Sequence, residues 1–390
     1  MAKLGVNRDN QKKINRGLVL KLIATQQCTS RIELSRVTGL TKTAISQIIN
    51  ELIVKDYVVE KEKENTTELG RKPVGLEISP RAPRYAGVLV QRGYCEAVLC
   101  DMQLRVLKSE KISREWMDAK ELMEAVYTLM DHMLEGEDHV AAIGAASIGP
   151  VSVKEGMIVH PLYFNEVENI PLRSLLEQRY QIPVYFDHDN QSAALVEHLY
   201  GNGRGYQDIL LVSVGRGVGC GILVDGQRMH SYSGYAPEIG HISIDHQGIP
   251  CICGNVGCLE RYVNSTVMHQ RFKEALGQDL SYARFYDMTD RPEIDAILKD
   301  QIHNLTQGIV NALNILNSQI VLLGMDCAYW PESYVELLEA EINRKKFGNR
   351  DMQIPVKKTH FLYQTQVLGA ACNAISQVFN GELLNGIVGV

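Results

Sequence analysis

The chain has 390 residues, 45% of them hydrophobic and 22% charged, with a formal net charge of −6. That length exceeds one ordinary core, so two or three domains are expected, and no run of about 18 apolar residues offers a membrane span. The charge is uneven: residues 1–80 carry a net +5 and the remainder a net −11, which suits a head that meets phosphate and a body that does not.

The N-terminal stretch MAKLGVNRDNQKK lacks the apolar segment of a secretory signal, so a cytoplasmic protein is expected. Its nine cysteines then sit in a reducing compartment where disulfides are rare. Ile14, Leu18, Val19, Leu22 and Ile23 recur at helical spacing and predict a first helix near 9–26. Ser30-Arg31-Ile32-Glu33 is a capping box: the Ser30 hydroxyl accepts from the Glu33 amide while Glu33 reaches back. The helix it opens ends at Gly39, and Thr41 caps a third helix.

Ala44, Ile45, Ile48, Ile49 and Leu52 fall on one face of that third helix, and Lys42, Thr43, Ser46, Gln47 and Asn50 on the other. A short polar face rich in amides and hydroxyls can approach phosphates and base edges in a major groove. An ordinary amphipathic helix with a solvated face would show the same alternation. The order of capping box, glycine turn and following helix favours a helix-turn-helix that binds double-stranded operator DNA. Tyr57-Val58-Val59-Glu60 reads as a wing strand, and Gly70-Arg71-Lys72-Pro73 as an extended basic tip. Arg71 and Lys72 would grip a minor groove, the plainer alternative being a charged linker.

From about residue 83 strands and helices alternate. Strands are predicted at Tyr85–Val90, Glu96–Cys100, Ala141–Ile148, Val184–Phe186, Ile209–Val214, Ile222–Val224 and Ile320–Leu323, with helices near Ser192–Leu199 and 297–317. This pattern argues for an α/β body, long enough for two lobes, with a ligand expected in a cleft. The expected domains are residues 1–80, a first lobe at 81–198 joined by a C-terminal helix at 375–390, and a second lobe at 199–374.

His241, Cys251, Cys253 and Cys258 have the spacing of a closed tetrahedral site, and a structural Zn2+ is expected there. Coincidental cysteines or a redox pair are the weaker alternatives. Glu238 and Glu260 flank this knot, and Asp189 follows the strand ending near Phe186. Each acid alone reads as a surface charge; together around one cleft they suggest a site for hydroxyl groups.

Glu238-x-Gly240-His241 followed by Cys251-x-Cys253-Gly254-x-x-Gly257-Cys258-x-Glu260 resembles the signature of the ROK family, which comprises bacterial sugar kinases and sugar-responsive repressors. The head and the Gly70–Pro73 arm resemble the repressor branch, which includes the xylose and N-acetylglucosamine repressors. The resemblance covers nearly the whole chain and implies a two-lobed, actin-like, sugar-kinase-like fold behind a winged helix-turn-helix. It further implies that Glu238, His241 and Glu260 bind sugar hydroxyls, that Asp189 matches the kinases' catalytic base, and that Asn165 supplies another contact. His188 replaces the Asn usual before that acid, and Gln191 the Asn usual two residues after it.

The nucleotide side departs from the kinase pattern. Leu89-Val90-Gln91-Arg92-Gly93 stands where kinases carry Asp-x-Gly-Gly-Thr, Arg216 replaces a small hydroxyl residue, and Gly324-Met325 replaces a Gly-Gly pair. The resemblance therefore implies a regulator rather than an enzyme, with no catalytic residue assigned. It would take a sugar or sugar phosphate as effector and assemble as a homodimer or homotetramer. Two alternatives stay open: a sugar kinase with an added DNA-binding head, and a regulator controlled by a protein partner docking on the body.

Overall fold

A computed structural model describes residues 8–62, 74–115, 118–161, 164–165, 167–230, 235–347 and 351–385. Three helices come first: α1 (Arg8–Ala24), α2 (Arg31–Thr38) and α3 (Lys42–Val54). The Ser30 hydroxyl accepts from the Glu33 amide at 3.3 Å, but Glu33 reaches back to the Thr29 amide at 2.7 Å. Gly39 ends α2 at φ 70° and Thr41 caps α3 through the Ala44 amide. On α3 the side chains of Ile45, Ile49 and Leu52 are buried, which fixes the helix by its apolar stripe. An antiparallel pair follows, β1 (Val58–Glu62) with β2 (Val74–Ile78), in the register Val58↔Ile78 to Glu62↔Val74. The Gly70–Pro73 tip lies outside the described residues.

The first large sheet uses β3 (Arg84–Gln91), β4 (Tyr94–Cys100), β5 (Val106–Ser113) and β6 (Val140–Ser147), with α4 (Ala119–Leu134) before β6. A short ladder, β7 (Val151–Ser152) with β8 (Met157–Ile158), precedes α5 (Leu172–Tyr180) and β9 (Val184–His188). The sheet order is β5-β4-β3-β6-β9. Next come α6 (Asp189–Tyr200), β10 (Ile209–Val214), β11 (Val218–Val224), β12 (Gln227–Arg228), α7 (Glu260–Val263), α8 (Ser265–Leu276), α9 (Tyr282–Tyr286) and α10 (Pro292–Leu316). Then follow β13 (Ile320–Met325), α11 (Glu332–Lys345), β14 (Val356–Lys358) and α12 (Thr365–Phe379).

The second sheet runs β12-β11-β10-β13-β14, so the two sheets share one strand order: third, second, first, fourth, fifth. In the second sheet β10 pairs parallel to β13 and β13 to β14, while β11 returns antiparallel beside β10. All of β10 and most of β13 are buried, as expected of central strands covered on both faces. Val212 of β10 belongs to the main core of this part, together with Leu259, Phe272, Phe285, Ile309, Leu323 and Leu338.

The chain divides into two compact units: Met1–Ala146, Leu162–Phe186 and Ala370–Val390 in one, Ser147–Pro161 and Asp187–Gly369 in the other. Three differences from the expected domains have physical causes. The chain first visits the second unit at Ser147–Pro161 and returns to it at Asp187 rather than near 199, because α6 packs on β10 and β11. Head and first sheet share a unit, with Lys13 bonded to Glu382 at 2.7 Å and Lys55 donating to the Leu384 carbonyl at 3.0 Å. The final long helix is Thr365–Phe379, not 375–390, because Asn380-Gly381 turns the chain, with Gly381 at φ 82° and the Glu382 amide returning to the Gln377 carbonyl. Among the described residues no helix is long and apolar enough to cross a membrane.

Candidate metal centre and sugar site

His241 ends a 3-10 turn at Ile239–His241, and the loop behind it folds back on itself. The Ile244 amide bonds the Gly257 carbonyl, the Gly257 amide the Ile249 carbonyl, and the Cys251 amide the Asn255 carbonyl. Gly257 sits at φ 72°, and a Cβ there would run into the Asp245 carbonyl, so the loop closes only with glycine. This brings the donor atoms of His241, Cys251, Cys253 and Cys258 within 4.8 Å of one another. Cys253 Sγ lies 3.6 Å from Cys258 Sγ, and Cys251 Sγ 3.7 Å from His241 Nδ1. Two thiolates on one tetrahedral zinc stand about 3.8 Å apart, so the spacing fits the ion. Burial raises the Cys251 thiol and pushes Cys258 up to about 12, while the Asn255 amide lowers Cys253. Loading a metal on these thiols therefore releases protons.

His241 faces this cluster with Nδ1, which leaves Nε2 for other work. Glu260 opens α7, with its Oε1 3.6 Å from Cys251 Sγ and 3.9 Å from His241 Nδ1. Glu238 is solvent-exposed, yet desolvation raises its carboxyl above the usual range; His188 and His241 oppose the shift, and Asp189 and Glu260 add to it. The residue is thus exposed while its carboxyl is crowded by these neighbours, and the space before it is the candidate recess. Five expected sugar residues (His188, Asp189, Glu238, His241 and Glu260) thus act on one another within the second unit. Asn165 belongs to the first unit, exposed and at φ 50°.

His188 ends β9 and caps α6: its Nδ1 accepts from the Asn190 amide at 3.3 Å and lies 3.2 Å from Asp189 Oδ1. Asp189 is therefore the first residue of α6 rather than a loop acid ahead of a helix at Ser192. Gln191 is fully buried, donating to the Met229 carbonyl at 2.6 Å and accepting from the Ile222 amide at 3.2 Å. It staples the segment after β12. Beneath lies a charge network not foreseen from sequence. Burial would raise Asp187, but Arg228 at 2.6 Å and His230 at 3.1 Å outweigh it and hold the carboxyl low.

Gly149 was also unforeseen. A Cβ there would stand 2.8 Å from His188 Nε2 and 3.1 Å from Glu238 Oε1. Gly149→Ala should therefore push both side chains and weaken sugar binding about tenfold by calorimetry; undiminished affinity would remove Gly149 from the recess wall.

The ROK family pattern matches residues 85–377. The chain belongs to the ROK family. It is 28% identical over 393 residues to the DNA-binding transcriptional repressor Mlc of Escherichia coli K12, covering 96% of each chain. It is 26% identical over 389 residues to the xylose repressor of Caldicellulosiruptor bescii, covering 95% of this chain and 97% of that one. A solved ROK family transcriptional regulator, a homolog of E. coli Mlc, superposes with a TM-score of 0.81 at 25% identity over 96% of this chain and 98% of its own. A ROK glucokinase from Streptomyces griseus, solved with glucose and AMPPNP, shares the fold at a TM-score of 0.65 and 21% identity; it covers 74% of this chain and 98% of its own. The ROK body is thus common to regulators and kinases, and its fold is sugar-kinase-like.

Two segments stand where the resemblance sets the kinases' phosphate loops. Gln91 pairs with Tyr94 across β3 and β4, leaving Arg92-Gly93 as a two-residue turn. In the second unit, a Cβ on Gly215 would meet Met325 Sδ and Cε at 3.2 Å, so this methionine overlies the retained loop glycine. Met325 adopts φ 57°, a conformation that costs a non-glycine residue energy. Gly219 and Gly221 serve packing instead: each lies against Asn190 of α6.

Beside Met325, burial raises Asp326 to about 6, against a hydrogen bond from Ser265. Its contribution is present while the carboxyl is protonated in both states, below about pH 4, and is lost as pH rises through 6. Relative to Asp326→Asn, the wild type should lose about 2 kcal/mol between pH 4 and pH 7 in denaturant unfolding. Equal pH profiles would contradict this.

In the head, Lys42, Thr43, Gln47 and Asn50 are exposed on α3 and Ser46 is half-buried, all along one face. Arg71 and Lys72 lie outside the described residues. Arg31, which the sequence marks only as part of the capping box, reaches this face and bonds Asn50 Oδ1 at 3.0 Å and Glu60 Oε1 at 2.8 Å.

Proposed function

We propose that this chain is a cytoplasmic, sugar-responsive transcriptional repressor. A winged helix-turn-helix formed by α1–α3, β1 and β2 binds operator DNA, with Lys42, Thr43, Ser46, Gln47 and Asn50 facing the major groove. Arg71 and Lys72 hold the neighbouring minor groove. One zinc ion bound by His241, Cys251, Cys253 and Cys258 braces a recess in which His188, Asp189, Glu238, His241 and Glu260 take sugar hydroxyls, with Asn165 as a further contact. The ion's part is structural: three thiolates and one imidazole leave no open position.

The observation that carries this reading is the extent of the likeness. The E. coli Mlc and C. bescii xylose repressors match this chain over 95% or more of both lengths, whereas the S. griseus glucokinase spans 98% of its own length on 74% of it. The family pattern itself begins only at residue 85, behind a capped α3 with a polar, exposed face. Met325 over Gly215 and the short Arg92-Gly93 turn support the absence of phosphoryl transfer.

Sugar binding changes DNA affinity by favouring one of two arrangements of a homodimer, whose paired heads meet two half-sites. The chain offers a direct route: α12 begins at Thr365 in the sugar-bearing unit, and its last residue, Phe379, lies with its carbonyl against Gly17 of α1. The test joins two assays on the full-length protein. A thermal-shift screen with sugars and sugar phosphates should find a stabilising ligand, and an ADP-release assay with that ligand should find no turnover. Sugar-dependent turnover abolished by Asp189→Asn would establish a kinase instead. The absence of any stabilising sugar would favour control by a protein partner.

A further inference from the structure

We propose that Arg31 is a positioning residue that fixes which atom Asn50 presents to DNA, so that Asn50 and Gln47 read bases as a donor and an acceptor respectively. This rests on the DNA-binding reading above and goes beyond it by stating what is read.

Arg31 is the first residue of α2, and one guanidinium fastens three elements. Its Nε and Nη2 reach Glu60 Oε1 on β1 at 3.2 and 2.8 Å. Nη1 donates to the Ser46 carbonyl of α3 at 3.3 Å, and Nη2 to Asn50 Oδ1 at 3.0 Å. A guanidinium has only donors, so the amide atom facing it must be oxygen. Asn50 then has its Nδ2, a donor, for a base edge.

Gln47, three residues earlier on the same face, is biased the other way. Its Nε2 donates to Glu51 Oε1 at 3.4 Å, and Glu51 is held from α1 by Arg16 at 2.6 Å. The carboxylate accepts only, so the Gln47 atom facing it is nitrogen, leaving Oε1 as acceptor.

Base edges in the major groove decode this pair. Guanine offers two acceptors and cytosine only a donor, while adenine and cytosine both carry an amino group. Asn50 as donor favours guanine and disfavours cytosine at its base. Gln47 as acceptor favours cytosine or adenine at a neighbouring base. An asparagine free to turn would instead prefer adenine, which takes both amide atoms at once.

The experiment is selection of binding duplexes from a randomised double-stranded library by the full-length protein. Wild type should yield half-sites with guanine over cytosine at one position and cytosine or adenine next to it. Arg31→Ala should shift the guanine position toward adenine by roughly tenfold. Asn50→Asp keeps an ion-pair partner for Arg31, so the head stays folded, but supplies no donor; its guanine preference should vanish and cytosine become tolerated. A wild-type motif retained by Arg31→Ala, or guanine retained by Asn50→Asp, overturns the proposal while leaving DNA binding intact. A wild-type selection with no motif overturns both.

Discussion

Replacing Cys258 by alanine should leave the purified protein without bound metal and lower its unfolding midpoint. Cys258 is fully buried, 3.6 Å from Cys253, and its backbone pairs with Ser243 to close the loop. Removing one of four ligands leaves three donors crowded without the charge that holds them together. A loss of about 4 kcal/mol would lower the midpoint of the second unit by roughly 10 °C. Elemental analysis and a thermal melt check both parts. The proposed sugar recess should suffer as well, because in that proposal His241 serves both the metal and the recess and Glu260 lies two residues beyond Cys258. Full metal content, or an unchanged melt, would mean that the four residues meet without serving an ion.

Glu238→Ala should weaken sugar binding by about 100-fold or more, the loss expected for two charge-assisted hydrogen bonds. The side chain is accessible, yet crowded enough that burial lifts its carboxyl. Filling the recess with a polyol would exchange that partial hydration for fixed hydroxyl donors. Calorimetry with the sugar found by thermal shift gives the number. A change of less than threefold would place the sugar elsewhere, and the metal content of the variant distinguishes a lost contact from a collapsed loop.

Much of this was legible along the chain because it depends on local order. Ser30, Gly39 and Thr41 mark helix ends by their own backbone chemistry, and the structure uses each where the spacing put it. The gathering of His241, Cys251, Cys253 and Cys258 was legible for a similar reason: a short loop with glycines at its bends leaves four donors few ways to be apart. The Arg31–Asn50 contact was not, since it joins residues nineteen apart on two helices whose angle is tertiary. Gly149 beside His188 was hidden likewise, and so was Met325, whose left-handed backbone a sequence does not announce. The last long helix stops earlier than its apolar run suggests, because Asn380-Gly381 is a strong local stop. The helix carrying Asp189 begins at that residue because His188 serves as its cap, a use of histidine less common than Ser, Thr, Asp or Asn.

The central claim is that occupancy of the recess alters the grip of the head. It is tested most directly by the affinity of full-length protein for a selected duplex, measured by fluorescence anisotropy with and without the stabilising sugar at fixed salt. The account predicts at least a roughly fivefold change in affinity, the scale of a modest coupling free energy, and its disappearance in Glu238→Ala. Identical affinities with and without a sugar that demonstrably binds would contradict it.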